Sequence, residues 1–170
     1  VSVPEQIAIR RAEPRDVPAL GRLGAALMRA HHAFDERRFM SPGADPEAGY
    51  ARFLGTQMES RNTLVLVAER TSPGQAAEVV GYVYAAIEPQ SWKELRDQAG
   101  FIHDLLVAGD TRGEGVGPQL LDEAVAWLRE QGMPRVLLWA ATANTTARRI
   151  FEARGFRSTM IEMTLELSGD

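Results

Sequence analysis

The residues with the clearest capacity for chemistry are Arg112, Gly113, Glu114, Gly115, Val116 and Gly117, followed at once by Pro118 and an amphipathic stretch. Glycines at alternate positions strip side chains from the loop, so main-chain N–H groups can approach a ligand closely. A helix starting there leaves the N–H groups of its first turn without intrahelical acceptors, and its dipole favours an anion at that end. Arg112 adds a planar fork of donors with a permanent positive charge. Together these features read as a cradle for a pyrophosphate. A nucleotide P-loop is excluded because no Gly-Lys-Ser/Thr follows, and the spacing also fails the dinucleotide fingerprint.

Positioning that loop requires a scaffold, and its parts can be read in order. Ile7 to Ala12 alternates and predicts a first strand. A helix follows from Val17 to about Ala33, with Leu20, Leu23, Leu27 and Met28 on one face, and a second from Pro46 to about Ser60. Strands are predicted at Thr63 to Ala68, Val79 to Ile87 and Phe101 to Val107. Glu88 to Ala99 reads as a polar loop or short helix carrying Trp92. After the glycine loop, Val116, Leu120, Ala124 and Leu128 form one helical row, with Pro118 in the first turn and Gly132 as a C-terminal cap. Arg135 to Trp139 is a strand, and Asn144 caps a short helix with Ala147, Ile150 and Phe151 inward, closed by Gly155 and Phe156. A final strand is expected near Met160 to Leu167. The order predicts an α/β fold: a mixed, mostly antiparallel sheet of six or seven strands with helices on both faces, in a single domain spanning residues 1–170.

Composition narrows the function. The 170-residue chain is 45% hydrophobic and 25% charged, with a net charge of −4. An acidic balance argues against nucleic acid as a partner. The absence of cysteine excludes disulfides, thiolate metal sites and a cysteine nucleophile, and is compatible with a cytoplasmic home. Three histidines without repeated spacing predict no metal site. No apolar stretch is long enough to span a bilayer, and Val1 to Glu5 lacks the blocks of a signal peptide.

The run Leu105-Leu106-Val107-Ala108-Gly109-Asp110-Thr111-Arg112-Gly113-Glu114-Gly115-Val116-Gly117 resembles the acyl-CoA motif of the GNAT superfamily of N-acetyltransferases. That motif is Arg/Gln-x-x-Gly-x-Gly/Ala after a strand, matched by Arg112, Gly115 and Gly117. Asn144 to Phe156 resembles the family's second motif, through Asn144, Ala147, Phe151, Gly155 and Phe156. Both occur in the family's order and separation. The resemblance implies transfer of acetyl from acetyl-CoA to a primary amine: a small molecule such as a polyamine, amino acid or aminoglycoside, or alternatively a protein or peptide amine. The pyrophosphate would lie on the amides of Gly113 to Gly117, beside Pro118. The pantetheine arm would pair with Leu105, Leu106 and Val107 like an added strand, across a splay between that strand and the one ending at Trp139. Asn144, Ala147 and Phe151 would line the arm's other side. Dimers are frequent among relatives, so a homodimer is an expectation.

An alkyl ammonium titrates near pH 10, so a base must free the amine for attack. His103 is the first candidate, with Glu88 second, and a backbone N–H near Leu105 or Leu106 would hold the oxyanion. On a regular strand Asp104 points to the face opposite His103, unless a bulge intervenes. Many relatives carry a proton-donating tyrosine where this chain has Phe151, which cannot donate. Tyr84, Tyr82 or a water would then protonate the thiolate, although both tyrosines also suit simple strand packing. The loss of that donor keeps a non-catalytic acyl-CoA sensor as an alternative. His31, Phe34, Asp35, Tyr82 and Trp92 are candidates for the acceptor site. With no cysteine to carry an acyl group, attack would be direct, in a ternary complex.

Overall fold

The computed structural model describes residues 5–167; the reading of Val1 to Pro4 as free of a signal lies outside them. Five strands form one sheet in the order β1-β2-β3-β4-β5: β1 (Gln6–Arg11), β2 (Thr63–Thr71), β3 (Glu78–Glu88), β4 (Ala99–Val107) and β5 (Val136–Leu138). Neighbours are antiparallel except β4 and β5, which are parallel. The helices are α1 (Val17–Phe34), α2 (Pro46–Met58), α3 (Val116–Glu130) and α4 (Thr145–Ala153).

The sheet separates two apolar layers, as the alternation of its strands requires. Val65, Val67, Tyr82, Tyr84 and Ala86 pack with Leu20 of α1 and Leu54 of α2. Leu64, Leu66, Val80, Val83, Ala85 and Ile102 meet Val116, Leu120, Leu121, Ala124 and Leu128 of α3 and Phe151 of α4. α1 and α2 approach closely because Gly21 and Gly24 present no side chains. A Cβ at Gly21 would lie 2.6 Å from the Glu47 carbonyl, and one at Gly24 only 1.9 Å from the Tyr50 ring. That approach brings the Tyr50 hydroxyl to Asp104 of β4.

Local signals hold as read. The Asn144 side chain accepts from the Ala147 N–H at 3.2 Å. Gly155 is left-handed at φ +85°, and the Phe156 N–H returns to the Phe151 carbonyl at 3.1 Å. Gly132 (φ +76°) follows α3 in the same way.

Two expectations are corrected. The sheet has five strands among the described residues, not six or seven. The segment Met160 to Leu167 alternates like a strand but pairs with none, and its apolar side chains stand in solvent. Alternation marks a segment that fits a half-buried pleat, yet a strand forms only where a neighbour supplies the ladder.

Candidate active site

β4 carries most of the site, and its irregularity decides what faces where. Its register with β3 pairs Tyr84 with Asp104 and Ala85 with Ile102, leaving His103 as an extra residue. This β-bulge cancels the alternation at that point. The regular strand expected over Phe101 to Val107 would have put His103 and Asp104 on opposite faces; the bulge turns both toward Tyr82 and Tyr84. The His103 ring stacks on Tyr84 with centroids 5.0 Å apart and on Phe101 at 4.9 Å. Asp104 Oδ2 accepts hydrogen bonds from the hydroxyls of Tyr82 and Tyr50, each at 3.0 Å.

His103 Nε2 lies 2.8 Å from Glu88 Oε1, at the far end of the adjoining strand. A carboxylate can only accept, so Nε2 carries the proton and Nδ1 is the basic nitrogen. The two candidate bases are therefore one dyad rather than competitors.

The surrounding phenols are poor acids. Burial, then the negative charges of Glu88 and Asp104, push Tyr84 up to about 12. Its hydroxyl donates to Gln57 Oε1 at 3.0 Å. Tyr82 and Tyr50 are raised further by burial and by Asp104. The Asp104 carboxyl is itself pushed above the ordinary aspartate range by burial, which the tyrosine hydrogen bonds and the positive fields of His103 and His31 only partly offset.

Beyond the bulge, β4 is paired on one side only. β5 matches Gly100, Phe101 and Ile102, and its ladder stops there, whereas β3 continues to Val107. The Ala108 N–H bonds to Val80, so by alternation Leu105 and Val107 turn their main-chain groups toward the open side. The open edge runs directly into the glycine loop. Gly113 (φ +89°) and Gly115 (φ +81°) adopt left-handed conformations that a side chain would strain. Nothing lies within 4 Å of a Cβ built at Gly113. α3 begins at Val116, and the Gln119 N–H to the Gly115 carbonyl, at 3.2 Å, opens its ladder. The N–H groups of Val116 and Gly117 precede it without intrahelical acceptors, and Pro118 has none to offer. Arg112 is exposed and rests on the Val107 carbonyl at 3.3 Å. An open strand edge leading to side-chain-free donors at a helix start fits a pantetheine arm ending in a pyrophosphate.

The remaining predicted residues distribute unevenly. Phe151 is 8% exposed and packs edge-on against Phe156, within the apolar layer under α3. Tyr82 is fully buried, so only Asp104 and its surroundings read its hydroxyl. His31 stacks edge-on with Phe34 and Phe39, and its Nδ1 meets the Leu27 carbonyl at 2.9 Å. Asp35 Oδ1 accepts from the N–H groups of Arg37 and Arg38, holding the turn after α1. Trp92 stands 83% exposed in the loop between β3 and β4. That loop reaches the site through Arg96, whose guanidinium lies 5.7 Å from the centre of the Phe101 ring. Sequence reasoning missed Asp104 as a site residue, and Tyr50 with it. The only local hint was the pair Gly21 and Gly24, whose bareness admits α2 and its tyrosine.

The chain matches the model of the Acetyltransferase (GNAT) family over residues 27–156. It is 32% identical over 82 residues to an uncharacterized N-acetyltransferase of Archaeoglobus fulgidus, a match covering 47% of this chain and 54% of that protein. The mycothiol acetyltransferase of Thermobispora bispora is 28% identical over 162 residues, 91% of this chain and 48% of that protein. The chain thus spans about half the length of the curated relatives it matches. The solved structure of the aminoglycoside N-acetyltransferase AAC(6')-Iy in complex with CoA shares the fold, with a TM-score of 0.72 at 16% identity, covering 98% of this chain and 97% of that one. No helix among the described residues is long and apolar enough to cross a membrane. With the two sequence motifs, the splayed β4 edge and a family match over most of its length, this chain belongs to the Acetyltransferase (GNAT) family.

Proposed function

We propose that the chain moves acetyl from acetyl-CoA to a primary amine of a small molecule, by direct attack in a ternary complex. The carrying observation is the continuity of one surface: the His103–Glu88 dyad at the bulge, the unpaired edge of β4, and the bare donors of Gly113 to Gly117. The edge and loop suit the two ends of a coenzyme A arm, and the dyad sits where the acyl group would end. Acetyl-CoA supplies an activated thioester; the protein supplies position and a proton acceptor. The CoA complex of the structurally similar aminoglycoside acetyltransferase supports this reading, and a cytoplasmic setting is part of it.

In the proposed reaction, His103 Nδ1 takes a proton from the ammonium, directly or through a water. The freed amine adds to the thioester carbonyl, and the outward Leu105 N–H steadies the oxyanion. Collapse breaks the C–S bond, and the second amine proton passes to the departing thiolate, leaving the amide and the free thiol of CoA. A thiolate whose conjugate acid titrates near pH 8.5 leaves readily without a strong donor. Tyr84 then acts as a positioning residue, its ring holding the His103 face while its hydroxyl stays on Gln57. Asp104, hydrogen-bonded by two phenols, sits within the field of His31 and His103 and would favour a cationic acceptor. His31, Phe34, Asp35 and Trp92 remain the proposed acceptor wall.

The test is release of free thiol from acetyl-CoA against polyamines, amino acids, aminoglycosides and short peptides. Turnover with a small amine is expected. Turnover with peptides alone moves the acceptor class to protein amines. Tight CoA binding with no thiol released across the panel would instead favour a sensor, the reading that the buried, non-donating Phe151 allows.

A further inference from the structure

We propose that Arg70 of β2 is a positioning residue for the diphosphate of coenzyme A, because it fastens the turn from which the glycine loop departs. The inference rests on the proposed seat of that diphosphate at Gly113 to Gly117. Leu64, Leu66 and Ala68 of β2 lie on the sheet face that meets α3, and the period of two puts Arg70 next in that row. A long cation stands there in place of a further apolar side chain, at the end of the sheet where β4 gives way to the loop. Arg70 is 17% exposed and reaches across β3, the strand between β2 and β4. Its Nη1 donates to Thr111 Oγ1 at 3.3 Å, and its Nη2 to Asp110 Oδ2 at 3.0 Å. Those two residues immediately precede Arg112 and Gly113.

The rest of the turn explains why this hold matters. Thr111 is fully buried, and its N–H bonds to the Ala108 carbonyl at 3.1 Å. The Ala108 N–H in turn bonds to Val80 of β3 at 2.7 Å. Beyond Thr111 the bracing thins: the exposed Arg112 rests on the Val107 carbonyl, and a Cβ at Gly113 would meet nothing within 4 Å. The loop is hung between the turn and the start of α3, so the seat of the turn sets where its N–H groups point. Arg70 is itself held from the sheet. Its Nη2 lies 2.7 Å from Glu78, its cross-strand partner on β3, and its Nε 3.3 Å from Glu5. An isolated surface ion pair contributes little, but this planar fork ties a buried hydroxyl to three carboxylates. It also sets a positive charge on Asp110, whose carboxylate would otherwise add repulsion beside the loop that receives a diphosphate. A loop already held in its binding geometry loses less conformational freedom when the ligand arrives. The contribution of Arg70 therefore lies in affinity for CoA and not in the chemical step.

The test is titration calorimetry of CoA into the full chain and its variants, beside steady-state kinetics and a thermal melt. In Arg70→Met the dissociation constant for CoA should rise about tenfold. The KM for acetyl-CoA should rise with it, while kcat and the KM for the amine stay as they are. Arg70→Lys keeps the charge without the fork and should fall between. Thr111→Val removes one of the two bonds to the turn and should give a smaller rise. Glu5→Gln cuts an ion pair of Arg70 that does not touch the turn, and it should bind CoA as the wild type does. An unchanged constant in Arg70→Met, or in Thr111→Val should Arg70→Met fail to fold, would overturn the proposal and leave acetyl transfer standing. A fall in kcat, or a rise in the amine KM equal to that for acetyl-CoA, would also overturn it, because Arg70 would then act through the fold as a whole. A wild-type chain that binds no CoA would remove the seat itself, and the proposal with it.

Discussion

Asp16 and Asp104 are both carboxyls set among other side chains, and their surroundings drive them in opposite directions. Asp16 is 4% exposed, where burial alone would raise it. The Arg10 guanidinium grips it with two bonds of 2.7 and 2.9 Å, the Glu13 N–H adds a third, and together with the charges of Arg10 and Arg15 they hold it below the ordinary range. Arg10 also binds Glu69, which is lowered for the same reason. Asp104 meets two phenols instead of a guanidinium. Dipoles compensate a buried charge less than a full countercharge does, so its carboxyl rises. One cluster spends its electrostatics on fixing β1 to β2 and the start of α1. The other keeps a costly carboxyl only partly compensated beside the dyad proposed for chemistry. The difference teaches where stability has been traded for a charged site.

Substitutions in the two regions should leave opposite signatures. His103→Ala is expected to lower kcat/KM by roughly 10²–10⁴-fold, with a stability loss of only about 1 kcal/mol from the ring's stacking on Tyr84 and Phe101. Steady-state kinetics alongside a thermal melt separates the two readouts, and unchanged turnover would remove His103 from the mechanism. Arg10→Met should do the reverse. It leaves Asp16 buried without its cation and costs on the order of 3 kcal/mol in urea denaturation, while the rate per folded molecule is unchanged.

Gly24→Ala probes the support beneath Asp104. The added methyl would fall 1.9 Å from the Tyr50 ring, so overpacking of about 1–3 kcal/mol should exceed the gain of about 1 kcal/mol from better helix propensity. Tyr50 must move off Asp104, and the KM for the amine should rise more than the KM for acetyl-CoA.

The smallest effect sharpens the contrast most. Because Asp104 is raised in the folded state, its protonated form is favoured by folding. The stability it lends is complete below the ordinary aspartate value near 3.9 and is lost as pH rises through its folded value. Asp16 and Glu69 behave oppositely, lending stability at higher pH that is lost as pH falls through their depressed values. Asp104→Asn should therefore raise Tm at pH 7 and give no gain near pH 3, although amine turnover falls. A Tm that drops at pH 7 would mean that Asp104 is compensated after all.

What could be read from the chain alone follows the range of the interactions. The glycine loop, the Asn144 cap and the Gly155–Phe156 closure are set by neighbours within a turn, and spacing alone revealed them. The bulge at His103 is a matter of register between two strands, which no single segment encodes. It brought Asp104 into the site against the period of two. Tyr50 arrived on a separate helix, through room left by Gly24. The segment Met160 to Leu167 was legible as a strand by pattern but not by partner, since no strand among the described residues supplies its ladder.

The most direct test of the account is amide hydrogen exchange with and without CoA. The prediction is slowed exchange at Leu105 and Val107 on the open edge of β4 and at Gly113, Gly115, Val116 and Gly117 in the loop, with the β1–β2 ladder near Arg10 unchanged. Exchange at those six amides that stays the same while CoA is bound, or an absence of CoA binding at millimolar concentration, would contradict it.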